Sequence, residues 1–310
     1  MKTFAYIVTP VNIKQLKEDW RSLRYIPDHF LRIFHKFLPK YKVIKLGRFE
    51  SVQGNFVKGY KIVCPVLYGH KQENLLLERT ISACRIAEKT GVNLIGLGRN
   101  ASLVADKNYN KISKNIKTSV TSGNILNAWA IFEKIYRMAK VKGITLNKST
   151  ILVLGADTQT GFLAARKLSD YAAKIIIAGK DADRLSMIKE TILHQNPVEV
   201  VIEFDIGAAI KDADIVINSG ETPAENLNLK QNSIYCDVRD LLIKEYRQKG
   251  SKFIHPSLAE SVLLLLDGKA VSYSLGENTN LDKLEEILCR QPLQYSHRVI
   301  FDMVESIGNY

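Results

Sequence analysis

The sequence predicts an α/β protein of two domains: an N-terminal α/β domain, then a doubly wound parallel-sheet domain followed by C-terminal helices. Three observations carry that expectation. The chain has 310 residues, 46% hydrophobic and 25% charged, which is ordinary globular usage at a length that usually divides into two cores. Between residues 150 and 237, short apolar runs alternate with helical patterns, as in a parallel sheet covered on both faces. Charge is uneven: residues 1–120 hold 22 Lys/Arg against 8 Asp/Glu, whereas residues 121–310 hold 22 against 24.

In the first domain, 1–120, residues 4–8 and 56–67 read as strands, 12–23 as a helix, 73–90 as a helix burying Leu77, Ile81 and Cys84, and 93–97 as a short strand. The second domain, 121–275, opens with a helix. Ile125, Trp129, Phe132, Tyr136 and Ala139 recur at spacings of four and three along one face, and Gly143 ends it. Residues 150–154, 174–178, 199–202, 214–218 and 233–237 then read as strands, with helices at 161–169, 182–194, 206–211 and 239–249 between or after them. Successive right-handed crossovers would make this a doubly wound sheet. Residues 258–266, 281–289 and 297–307 read as further helices, and 276–310 is expected to pack back onto the first domain.

Several classes are disfavoured. The longest apolar run, Val262 to Leu266, is too short to span a bilayer, and the first ten residues lack a secretory core. Cys64, Cys84, Cys236 and Cys289 stand far apart without a CxxC pair, so a reducing cytoplasm is the expected setting. The six histidines show no metal-ligand spacing. A net charge of +12 would suit nucleic acid, but no such module is recognisable. Lys111, Lys114 and Lys117 recur every three residues without interleaved aromatics for base stacking. They suit an acidic carrier protein or a phosphopantetheine phosphate; the bland alternative is a basic surface kept for solubility.

The strand at 150–154 runs directly into Gly155-Ala156-Asp157-Thr158-Gln159-Thr160-Gly161 and a helix, the context of a Rossmann-like dinucleotide turn. Gly155 would make the tight turn and Gly161 would let helix and strand pack closely, with the helix N-terminus facing a pyrophosphate. Thr158 replaces the middle glycine, a departure that also admits a purely structural turn. After the second strand, Lys180 and Arg184 favour the 2′-phosphate of NADPH, while Asp181 and Asp183 count against it or act as helix caps. Asn218-Ser219-Gly220 and Asp237 end the fourth and fifth strands, where a nicotinamide ribose would rest.

Thr121-Ser122-Gly123-Asn124, the 155–161 turn and Gly179-Lys180-Asp181-Ala182-Asp183-Arg184-Leu185 resemble the long-chain acyl-(acyl-carrier-protein) reductases, whose nucleotide domain is shikimate-dehydrogenase-like. Residues 94–103 look like that family's Gly-Gly-Phe-Thr-Ser segment with two substitutions, and 257–268 resemble its C-terminal helix. The resemblance implies NADPH-dependent reduction of an acyl thioester to an aldehyde through a cysteine acyl-enzyme. In this chain that cysteine is Ser257, a weaker nucleophile with a poorer ester leaving group. His255, two residues earlier, is a candidate base, or simply a loop histidine before Pro256. Ser122 and Asn124 are expected at the substrate or as helix caps. Arg239 stands near a segment that borders the family's substrate, in a loop shorter here than in the family. Three readings follow: a reductase acting on a carrier-tethered or anionic acyl substrate; a direct hydride-transfer dehydrogenase on a small acid or amino acid; or a binding protein with a degenerate nucleotide site.

Overall fold

In the computed structural model, residues 2–10, 12–34, 37, 41–50, 55–67, 73–220, 227–238, 241, 243–247, 250–267 and 301–303 are described. The chain divides into two units, Met1–Gly123 with Lys244–Asp302, and Asn124–Ile243 with Met303–Tyr310.

The first unit is built on β1 (Lys2–Val8), β2 (Lys42–Glu50), β3 (Phe56–Val63), β4 (Leu94–Leu97) and β5 (Ser119–Thr121), in the order β2-β3-β1-β4-β5. β1 pairs in parallel with β3 and β4, β4 pairs in parallel with β5, and β2 adds an antiparallel edge. Period-two alternation splits β1 between the sheet faces. Ala5 and Ile7 join a core with Leu76, Leu77 and Cys84 of α3 (Glu73–Lys89) and with Ala101 and Val104 of α4 (Arg99–Lys107). The expected helix at 12–23 is α1 (Ile13–Asp19), capped by Asn12 Oδ1 accepting from Gln15 N, followed by a 3-10 turn at Arg21–Tyr25. α2 (Asp28–Phe34) and α5 (Tyr109–Asn115) were not legible in the sequence. α5 carries Lys111 and Lys114; Lys117 lies beyond it, its backbone N–H donating to Glu88.

The second unit follows the expected pattern closely. α6 (Asn124–Lys142) ends at Gly143, whose φ of +68° no β-carbon favours. Its buried face is Ala128, Ile131, Ile135 and Ala139. Of the expected face, Ile125 and Ala139 are buried, whereas Phe132 and Tyr136 stack on each other nearer the surface, with Lys140 over Tyr136. β6 (Thr150–Leu154), α7 (Gln159–Ser169), β7 (Lys174–Ala178), α8 (Ala182–Gln195), β8 (Glu199–Ile202), α9 (Ile206–Asp212), β9 (Ile215–Asn218) and β10 (Ile234–Asp237) alternate as predicted. The parallel order is β10-β9-β6-β7-β8, so the chain reverses direction across the sheet at β6, the switch point of a doubly wound fold.

Three expectations change. The helix expected at 239–249 is replaced at Ile243–Arg247 by a strand, β11, which pairs with β12 (Gly250–Ile254). α10 (Pro256–Leu266) packs on β1, β3, β4 and β5, so it belongs with the first unit's sheet rather than with a domain ending at 275. Within the helix expected at 297–307, Phe301–Met303 is a strand, β13, and the helix expected at 281–289, with Cys289, lies outside the described residues. No helix of the described residues is long and apolar enough to cross a membrane.

Candidate functional site

The second unit's candidate site is the pair of loops leaving β6 and β9, neighbours at the carboxyl edge. Gly155 has φ +71°, and a β-carbon there would lie 2.5 Å from Gly220 N and 2.6 Å from Gly220 Cα. Two bare backbones thus cross at the switch point. A β-carbon on Gly161 would lie 2.3 Å from Gly155 O and 2.4 Å from Ser219 Oγ. Ser219 Oγ in turn sits 2.8 Å from the Leu154 carbonyl and 2.9 Å from that of Gly155, and buried Ala156 donates its N–H to Ala178 O.

Thr158, the departure from the glycine pattern, has a structural task. Its hydroxyl donates to Gly155 O at 2.8 Å and accepts from Gly161 N at 3.1 Å, capping α7 and bracing the turn. Thr158→Ala is expected to lower stability by about 1 kcal/mol, and Thr158→Ser to restore most of it, read from denaturant midpoints. An alanine variant as stable as the parent would show the cap to be dispensable.

Asp157, which the sequence reading passed over, ties this turn to the next loop: Oδ2 accepts from Lys180 N at 2.9 Å and Asp181 N at 3.2 Å. Asp181 caps α8 by accepting from Arg184 N, so the structural reading of that acid holds. Arg184 Nη2 donates to Gln159 Oε1 at 3.0 Å at the start of α7, while its buried Nε has no hydrogen-bond partner. Lys180 is exposed. At the ends of β9 and β10, Asn218 Nδ2 donates to Tyr235 Oη and to Asp237 Oδ2, and Tyr235 donates to the same carboxylate. Asn124, the first residue of α6, accepts from Thr160 Oγ1 at 2.8 Å and so links α6 to α7.

The first unit holds a polar cluster of its own around α10. α10 is apolar on most faces and buried from Pro256 to Leu265, yet Ser257, Glu260 and Ser261 lie three and four apart on one side. That stripe meets the sheet. Glu260 accepts from Thr121 Oγ1, and the bare Cα of Gly96 makes room for Ser261, where a β-carbon would lie 2.0 Å from its hydroxyl. Gly123, at φ +77°, lies against Ser257 so closely that a β-carbon would be 2.1 Å from the serine Cβ. Ser122 is fully buried in the same unit. Arg239 lies outside the described residues.

Ser257 is only 1% exposed. Its backbone N–H, which can only donate, points at His255 Nδ1 at 3.2 Å, so Nδ1 is the unprotonated ring nitrogen and the proton of the neutral imidazole sits on Nε2. Ser257 Oγ, 2.7 Å from Nδ1, therefore donates to it and accepts from Tyr6 Oη at 2.6 Å. Burial pushes the Tyr6 phenol up to about 12, against a smaller opposing contribution from Ser257, so it keeps its proton as a donor. The result is a directed chain from Tyr6 through Ser257 to His255. No local signal pointed to Tyr6, which is 251 positions from Ser257. Cys64 and Cys84 are buried and their thiols are pushed up mainly by desolvation, which leaves them inert. Cys236 is buried as well. Among the described residues, no group of three or more His, Cys, Asp or Glu gathers as a metal site.

No family model and no curated protein matches the sequence, so the resemblance to the acyl-carrier-protein reductases has no counterpart there. Among solved structures, the chain is similar to L-tryptophan dehydrogenase from Nostoc punctiforme, at 15% identity over 76% of this chain and 62% of that one, TM-score 0.36. It thus spans less than two thirds of that enzyme. It is also similar to ornithine transcarbamoylase from Giardia lamblia, at 10% identity over 76% and 72%, TM-score 0.37. A third is shikimate 5-dehydrogenase from Listeria monocytogenes, at 12% identity over 76% and 78%, TM-score 0.35. Likenesses this distant assign no activity; dehydrogenases and a carbamoyltransferase match equally well.

Proposed function

We propose that the protein is an NADPH-dependent reductase acting on a carrier-tethered or otherwise anionic acyl substrate. The observation that carries the nucleotide part is the glycine crossing of Gly155 and Gly220 at the β6 switch point, with Gly161 held against it. Bare backbone at a strand-to-helix turn is what lets a pyrophosphate approach amide donors. The residues present fit such a group: α7 starts at this turn, and Arg184, anchored on Gln159, keeps an Nε without a partner. When bound, the nicotinamide supplies a hydride; reducing an acyl thioester to an aldehyde consumes that hydride and a proton and releases the thiol.

This chain's own contributions are assigned as follows. The 155–161 turn and Ser219-Gly220 hold the pyrophosphate side of the cofactor, and Lys180 with Arg184 holds the 2′-phosphate. Ser257, sealed against Gly123 and hydrogen bonded on both sides, serves as a relay rather than as an acyl acceptor. His255, half-buried, with Nδ1 committed to Ser257 and the proton on Nε2, would give the Nε2 proton to the product while Nδ1 takes the Ser257 proton and Ser257 takes that of Tyr6; a solvent proton arriving at Nε2 returns the chain to its starting state by the reverse path. Lys111, Lys114 and Lys117, all exposed, are assigned to an acidic carrier protein.

The same relay favours a second reading, direct hydride transfer to a small acid or amino acid, because a proton donor without a covalent acceptor is all that reaction requires. Nicotinamide fluorescence titration tests the cofactor assignment. NADPH is expected to bind more tightly than NADH by about 1 to 3 kcal/mol, with most of the difference lost in Lys180→Ala together with Arg184→Ala. Equal affinities would remove the 2′-phosphate assignment, and no binding of either would leave a nucleotide-free fold. If NADPH binds, turnover of acyl thioesters against small keto acids separates the two readings.

A further inference from the structure

We propose that the α2 region is a docking face for an anionic lipid bilayer, a property independent of the reductase reading. α2 buries a single residue, Leu31, which closes a small core with Ile13, Leu16 and Leu23. The rest of its apolar side is uncovered. Phe30, Ile33 and Phe34 are each about half exposed or more, and Tyr25 and Phe37 are 93% and 80% exposed. The rings form a continuous row, with centroids 4.4 Å apart for His29 and Phe30, 6.3 Å for Phe30 and Phe34, and 6.2 Å for Phe34 and Phe37. The small core beneath anchors the row, so the rings are displayed on a supported platform.

Charge identifies the occupant. Residues 20–34, the segment that carries the rings of α2, hold Arg21, Arg24 and Arg32 against one acid, Asp28, and that acid is paired with Lys17 at 2.7 Å. Arg21, Arg24 and Arg32, in or beside α2, are exposed. Side chains as exposed as Tyr25 and Phe37 project outward instead of lining a groove, and a projecting ring reaches an apolar medium by entering one. Aromatic rings at the headgroup boundary, flanked by cations facing anionic lipid, are the two components of interfacial binding, and each is weak without the other. An acidic protein would satisfy the cations but gives no reason for the uncovered ring row.

Co-sedimentation of the full chain with sucrose-loaded vesicles tests this, using phosphatidylcholine alone or with about one third phosphatidylglycerol. Binding is expected to the anionic vesicles and not to the neutral ones. It should fall at least about tenfold in the triple variant Phe30→Ser, Phe34→Ser, Phe37→Ser, and comparably in Arg21→Glu with Arg24→Glu. These side chains are exposed, and circular dichroism with melting temperature checks that each variant stays folded. Failure to bind anionic vesicles overturns the proposal, as does binding that the serine variant leaves unchanged, which would be simple charge attraction. Loss of a soluble acidic protein's binding in the same variants, with no vesicle binding, would assign the face to a protein partner and overturn it equally. None of these readouts depends on nucleotide binding, so the failure of this proposal and of the reductase reading are separable.

Discussion

Replacing Gly155 with alanine is expected to abolish dinucleotide binding and to destabilise the fold by about 2 to 5 kcal/mol. Two costs add. A β-carbon at φ +71° strains the backbone, and it would lie 2.5 Å from Gly220 N and 2.6 Å from Gly220 Cα, neither of which belongs to a side chain that can swing away. The loops after β6 and β9 would have to separate, and with them the surface assigned to the pyrophosphate. Gly143→Ala is the matched control: its φ is +68°, but nothing lies within 4 Å of the added carbon. It should therefore show only the conformational strain, about 1 kcal/mol, with cofactor binding intact. Denaturant melts and nicotinamide fluorescence on both variants decide the matter. Equal losses in the two would show that the crossing contributes nothing beyond glycine's backbone freedom.

His255→Gln is expected to lower kcat by about 10² to 10⁴ while KM changes little, because a positioned proton carrier acts in the transition state more than on the bound substrate. Ser257→Ala should lower kcat about tenfold or more, by removing the hydroxyl that sits 2.7 Å from His255 Nδ1 and 2.6 Å from Tyr6 Oη. A structural role for His255 predicts something different. As the cap of α10, accepting from Ser257 N, it would affect stability by about 1 kcal/mol and leave turnover untouched. Steady-state NADPH oxidation beside thermal melts therefore separates a proton relay from a helix cap. Intact-mass analysis after incubation with acyl-CoA should show no adduct on the parent protein, since Ser257 is enclosed. An adduct that vanishes in Ser257→Ala would make the serine an acyl acceptor and restore the covalent route.

Much of the second unit was legible in the sequence because the parallel strands of a covered sheet appear as short, mainly apolar runs. Residues 150–154, 174–178 and 199–202 became β6, β7 and β8 with their expected bounds, and the turn after β6 holds Gly155 and Gly161 at the first and last glycine positions of the motif, with Thr158 at the middle one. The first unit was harder to read. β2 carries Lys42, Lys45 and Arg48 among its apolar residues, and α2 and α5 are seven residues each, too short for periodicity to separate helix from loop. The strand β11 was mistaken for a helix because the run Arg239 to Lys249 is mostly charged and gives no clean period.

By itself, the sequence determined the class of the fold, the alternation from β6 to β10, the phosphate-type turn and the concentration of positive charge in the first 120 residues, all of which are properties of short windows. Only the tertiary structure decided how those windows were used. It turned Thr158 from a motif defect into a cap, set Phe132 and Tyr136 of α6 nearer the surface, left the α2 rings uncovered, and moved α10 onto the first unit's sheet. The hydrogen-bonded chain from Tyr6 to His255 is the clearest case. Tyr6 and Ser257 are 251 residues apart, and they meet because period-two alternation in β1 and the polar stripe of α10 face each other across one sheet surface. Local periodicity tells which side of an element is polar; which element answers that side is set by packing, where each buried hydroxyl must find a partner or forfeit about 1 to 3 kcal/mol.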